Sequence, residues 1–60
     1  MDWMENDYPP HKSGHYLVCQ ESSDHRKYRF VRYWNGSEWY NINEDKYGRV
    51  THWMILPVFP

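Results

Sequence analysis

Four runs of β-branched, aromatic and other apolar residues, separated by polar or turn-forming stretches, set the pattern of this chain. Residues 15–20 (His-Tyr-Leu-Val-Cys-Gln) have strand length and strand composition, with Tyr16 and Val18 on one face and Leu17 and Cys19 on the other. Glu21, Ser22, Ser23 and Asp24 follow as turn chemistry, because short polar side chains bond their own backbone. Residues 27–34 (Lys-Tyr-Arg-Phe-Val-Arg-Tyr-Trp) form the second run. Asn35-Gly36 comes next, and then the aromatic segment 37–42. Asn-Gly between two such runs predicts a two-residue hairpin turn, since a type I′ turn needs positive φ at both central positions. That register sets Tyr33 opposite Glu38, Arg32 opposite Trp39 and Val31 opposite Tyr40. One face then gathers Val31, Tyr33, Tyr40 and Ile42, and the other Phe30, Arg32, Trp34 and Trp39.

Residues 43–49 read as a polar connection, and residues 50–56 (Val-Thr-His-Trp-Met-Ile-Leu) return as a last strand closed by Pro57. The first fourteen residues hold Pro9, Pro10 and Gly14 among polar groups and start no helix. The fold class predicted is all-β or mainly β. It is a small antiparallel meander of three to four strands, with an extended N-terminal arm packed across it around Trp3. Residues 1–60 are read as a single β-rich domain: arm 1–14, sheet 15–56, tail 57–60. Tyr16, Val18, Val31, Tyr40 and Ile55 are the core expected.

Composition sharpens the picture in one respect. Twelve of the 60 residues are aromatic, four Trp, six Tyr and two Phe. A domain this short buries only about 60% of the surface its unfolded chain exposes. The large rings must carry much of the stability, because a lone cysteine, Cys19, excludes an internal disulfide. The N-terminal residues show no basic leader followed by an apolar core, and no run approaches the ~18 apolar residues of a membrane span. A cytoplasmic protein without membrane contact is expected.

Catalysis, metal and cofactors are not expected. His11, His15 and Cys19 recur every four residues, but Pro10 and Gly14 argue against a helix there. On a strand, His15 and Cys19 would stand about 13 Å apart, too far for one metal ion. Nothing suggests a nucleophile beside a base, and so small a chain leaves little room for a ligand pocket of about 300 Å³ or more.

Net charge is −1 with histidines neutral, yet Arg26, Lys27, Arg29 and Arg32 fall within seven positions. Cations between rings over residues 26–34 suit single-stranded nucleic acid, whose bases stack while its phosphates are neutralised. Such residues also guard a strand edge. Tyr, Trp, Met and Arg are equally the residue types of protein interfaces, and more ring surface is present than one thin sheet readily shelters. A protein partner is therefore the leading expectation, with a homodimer as a variant. Arg32, Trp34, Trp39, Trp53 and Phe59 are the expected contacts.

A resemblance adds to this reading. Val50-Thr51-His52-Trp53-Met54-Ile55-Leu56-Pro57, together with Trp3, the proline-to-glycine stretch 9–14, Leu17-Val18 and Tyr33 followed by Trp39-Tyr40, resembles a family of small phage and prophage proteins. It is catalogued as domain of unknown function five hundred and fifty-one. Its members commonly close with Thr-His-Trp-Met-Pro-Leu-Pro. Here Ile55 stands in place of a proline, and Val58-Phe59 makes the tail more apolar. The resemblance implies a phage or prophage accessory protein and brings no activity with it. Joined to the aromatic surplus, it gives the functional expectation of a protein that binds and inhibits a host protein through an aromatic-rich β surface. Residues 17–22 are also similar to the strand of phage uracil-DNA glycosylase inhibitors, in which a Gln-Glu-Ser edge occupies the enzyme's DNA groove. A DNA-mimicking inhibitor of a repair enzyme is thus a further alternative.

Overall fold

The structure, a computed structural model, describes residues 3–56. Four antiparallel strands form one open sheet: β1 (Met4–Glu5), β2 (Gly14–Glu21), β3 (Lys27–Trp34) and β4 (Arg49–Ile55). One turn of helix, α1 (Glu44–Tyr47), precedes β4. The mainly-β expectation holds, but the strands do not run as a meander. The order is β1-β4-β2-β3, so β4 returns to the far side of β2 instead of lying beside β3. The N-terminal arm is partly absorbed into the sheet, with Met4 opposite Trp53 and Glu5 opposite His52.

Directly opposed residues of antiparallel strands share a face. Met4, Trp53, Val18 and Phe30 stand in one row across all four strands. A bulge between Cys19 and Gln20 then pairs Gln20 with Val50, leaving Thr51 as the extra residue of β4. Its hydroxyl donates to the Cys19 carbonyl at 3.3 Å. Strict alternation would set Val50 and Trp53 on opposite faces; the bulge brings both to the same one. There Val18, Trp34, Trp39, Val50 and Trp53 form the core, with Tyr16, Phe30 and Ile42 packed against it.

The segments outside the sheet cover this core face and are fastened by polar groups reaching out of it. Trp39 Nε1 donates to Asn6 Oδ1 and Trp53 Nε1 to the Tyr8 carbonyl, both at 2.9 Å. These bonds pin the lead-in across the sheet. Gln20, fully buried, donates from Nε2 to the carbonyls of Ile42 and Gly48, both at 2.7 Å. Two carbonyls of the 42–48 connection thus find a donor inside the core, where an unmet one would cost about 1–3 kcal/mol.

The Asn35-Gly36 turn is present with a longer loop than predicted. Asn35 Oδ1 accepts the N–H groups of Ser37 and Glu38, both at 2.7 Å, and this side-chain turn draws both residues into the loop. Trp39 is bridged to Trp34, not Arg32. Residues 37–42 make no strand, because Asn41 adopts φ 59° and breaks the alternation. Ile42 turns back onto the core, whereas Tyr40 stays beside Tyr33 at a ring separation of 5.5 Å on the opposite face.

The core expected from sequence is correct for β2 and not elsewhere. Val18 is fully buried and Tyr16 packs edge-on against Trp39 and Trp53. Val31, Tyr40 and Ile55 are exposed. Val31 pairs with Leu17, and that register puts it on the face away from Val18.

The β2–β3 turn makes a testable electrostatic contact. The Ser22 hydroxyl donates to the Asp24 carboxylate, and Arg26 Nε lies 3.2 Å from its other oxygen. The hydroxyl first, and the arginine after it, hold the Asp24 carboxyl below the ordinary aspartate range. A carboxyl depressed in the folded state adds stability above its unfolded pKa and loses it as pH falls through the folded one. Ser22→Ala is therefore expected to move the Asp24 midpoint upward in a carboxyl-carbon NMR titration. An unchanged midpoint would assign the depression to Arg26 instead.

Candidate partner-binding site

Of the five contact residues expected, three lie indoors. Trp34, Trp39 and Trp53 are 6%, 9% and 8% exposed, so the indoles are core and not a docking face. The physical reason is the cover laid over the sheet by the lead-in and by the 35–48 connection, of which residues 37–42 were expected to form a hairpin strand and do not. Arg32 is half-buried, and its guanidinium lies over Phe30 at 4.4 Å, not against Trp39. Phe59 lies outside the described residues.

Exposed apolar surface does exist, at Met4 and Tyr8, which were not among the expected contacts, and at Ile55, which was expected in the core. Met4, Tyr8 and Ile55 are 42%, 66% and 70% exposed. They line an open groove of about 910 Å³ between the lead-in and the end of β4, with Pro10 and Trp53 in its wall. Each is placed by a traceable cause. Met4 is set beside Trp53 by the β1–β4 register, and Ile55 follows two residues after Trp53 on the same strand face. The Tyr8 N–H donates to the Glu5 carbonyl at 3.0 Å in a turn, and its own carbonyl receives the Trp53 indole. Tyr8-Pro9-Pro10 was the available signal: an aromatic residue beside two prolines, in an arm that also holds Trp3 and Met4.

A second open cleft, about 690 Å³, is rimmed by Glu5, Asp7, Glu38 and Glu44 near Trp34 and Trp39. Both clefts exceed what so short a chain was expected to leave, because the cover bridges the sheet in separate segments with troughs between them. Among the described residues, no three His, Cys, Asp or Glu side chains converge in a way that could hold a metal ion. Cys19 is buried.

The basic run divides between the two faces of the sheet. Lys27 and Arg29 share one face with Val31, while Arg32 shares the other with Tyr28 and Phe30. Tyr47 of α1 sits edge-on to both of those rings, at 5.0 and 4.7 Å, and occupies part of the platform that bases would need. The Gln20-Glu21-Ser22 segment departs from an inhibitor-like edge. β2 lies between β3 and β4, Gln20 points into the core, and Glu21 lies 3.2 Å from His25. No helix among the described residues is long and apolar enough to cross a membrane.

Of the residues that carry the family resemblance, 50–55 belong to β4, where Trp53 and Met54 are buried and Thr51 closes the bulge. That stretch is occupied with folding. No curated protein and no solved structure gives a significant match to the chain. A family model does match, over residues 3–60 and hence nearly the whole sequence, and the chain belongs to the family described as "Protein of unknown function (DUF551)".

Proposed function

We propose that this chain is a phage or prophage accessory protein that binds a cytoplasmic host protein and inhibits it by occupying a surface, without catalysing a reaction. The observation that supports this is the gathering of Met4, Tyr8 and Ile55, all exposed, around one groove walled by Trp53 and Pro10. Scattered apolar residues are ordinary on any surface, but Met4, Tyr8 and Ile55 are gathered around one groove, and Met and Tyr are residue types enriched at interface cores. This reading replaces Trp34, Trp39 and Trp53, which are core, by Met4, Tyr8 and Ile55 as the contacts. The phage setting and the inhibitory role rest on the family resemblance.

Ile55→Asp places a charge at the groove without touching the core, since Ile55 is 70% exposed. In a tagged pull-down from host lysate, the wild-type chain is expected to retain a protein whether or not nuclease is present. Ile55→Asp should retain at least tenfold less, and Tyr40→Asp, at an exposed residue of the opposite face, as much as wild type. Recovery of nucleic acid alone, or equal retention by Ile55→Asp, would overturn the reading. Light scattering on the purified chain separates a second copy from a foreign protein as the occupant.

A further inference from the structure

The outer edge of β3 carries an argument independent of the groove. All eight residues of β3 pair with β2 on one side. On the other side, the described contacts are confined to one end, where Trp34 bridges Trp39 and the Tyr33 carbonyl accepts the Tyr40 N–H at 2.9 Å. In an antiparallel strand, the N–H and C=O of one residue point to the same neighbour and alternate along the chain. Because the Tyr33 carbonyl points outward, so do the backbone groups of Val31, Arg29 and Lys27. The Val31 carbonyl is met by the strand's own side chain, as Arg32 Nη1 donates to it at 2.9 Å. Lys27 and Arg29, both exposed, extend the open ladder to the start of the strand.

Charge decides what this ladder admits. β3 contains Lys27, Arg29 and Arg32 and no carboxylate; the one acid facing it from β2 is Glu21, opposite Lys27 and in contact with His25. Arg26, just before the strand, is already paired with Asp24. A second copy of β3 would bring three more cations and no acid, so self-pairing is disfavoured by repulsion. Arg32 is also short of acceptors, since its Nε is buried with none among the described residues.

We infer that the outer edge of β3 accepts an extended acidic segment of a partner protein as a fifth strand, paired along Lys27–Val31. Strand addition draws affinity from the backbone ladder and specificity from alternate side chains. The two faces of β3 fix the alternation required. Acidic residues at every second position meet Lys27 and Arg29 on one face, and apolar or aromatic residues between them lie beside Tyr28 and Phe30 on the other.

The test uses the 15N-labelled chain and an octapeptide alternating glutamate with valine or phenylalanine. Its controls are the same peptide with lysine for glutamate, the acidic peptide N-methylated along its pairing edge, and an oligothymidine. The acidic peptide is expected to slow amide exchange at Lys27, Arg29 and Val31 at least tenfold. The lysine and N-methylated peptides should not, and Arg29→Glu should weaken binding at least tenfold while the resonances of Val18 and Trp53 stay in place. The inference is overturned if those amides gain no protection, if the lysine peptide or the oligonucleotide protects them equally, or if they become protected with protein concentration alone, the mark of a second copy. Ile55→Asp should bind the peptide as wild type does, so the groove and the edge stand or fall separately.

Discussion

Gly48→Ala is expected to lower the thermal midpoint steeply, because the substitution removes much of the stability of the fold. Gly48 adopts φ 81° and ψ −174°, a region essentially reserved for glycine, where any side chain costs about 1–3 kcal/mol. A Cβ there would overlap the Glu21 carbonyl and lie 2.6 Å from the Ser22 Cα, both backbone atoms that can yield only if the end of β2 moves. Overpacking of that kind adds about 1–3 kcal/mol. The combined cost, roughly 2–6 kcal/mol, compares with roughly 3–9 kcal/mol of total stability for a domain of this size. The same residue presents a carbonyl that Gln20 binds at 2.7 Å, so a shift at Gly48 would also cost the buried amide one of its two acceptors. Gly36→Ala is the control. Gly36 also has a positive φ, 99°, but nothing lies within 4 Å of its added Cβ, and that variant should fold with a lowered midpoint. Equal thermal midpoints for the two variants would show that the close approach of Gly48 to β2 is not structural.

Trp53→Ala should cost about 3–5 kcal/mol, whereas Val31→Ala should change stability by less than about 0.5 kcal/mol. Trp53 is a core member, stacks edge-on with Tyr16 at 5.1 Å and holds the lead-in through the Tyr8 carbonyl. Val31 is 48% exposed. Chemical denaturation of the two variants tests which side of the sheet is interior. A larger loss at Val31 than at Trp53 would mean that the faces are inverted. Trp53→Phe should fall between, keeping much of the ring and losing the indole donor.

These contrasts also mark how far the sequence reaches. The three long strands are legible because each is a run of β-branched and aromatic residues closed by polar or turn-forming ones, and the turn at Asn35 is legible from Asn-Gly. The grouping of Phe30, Arg32, Trp34 and Trp39 on one face holds even though the loop is longer than predicted, because the slip from Arg32 to Trp34 as the partner of Trp39 is two residues and preserves the face. Which face is interior was not legible. Val31 and Trp34 are both apolar, and the choice depends on what lies over the sheet. That cover rests on single long-range bonds, such as Asn6 to the Trp39 indole and Gln20 to the 42–48 carbonyls, which no local pattern announces. The bulge beside Cys19 is equally silent, since alternation alone would part Val50 from Trp53. The groove escaped notice for the same reason: Met4 and Tyr8 acquire their neighbours only when the arm meets β4.

The position of β4 between β1 and β2 also governs the order in which the molecule assembles. β2 and β3 are joined by the short 22–26 turn and can meet on the microsecond scale of hairpin formation. A lone pair of strands is marginal in water. The third strand has to cross from residue 49 back to Glu21, and β1, first off the ribosome, has no neighbour until β4 exists. A nascent chain halted before residue 49 is therefore expected to remain protease-sensitive, and release of the last strand to convert the whole molecule in one step.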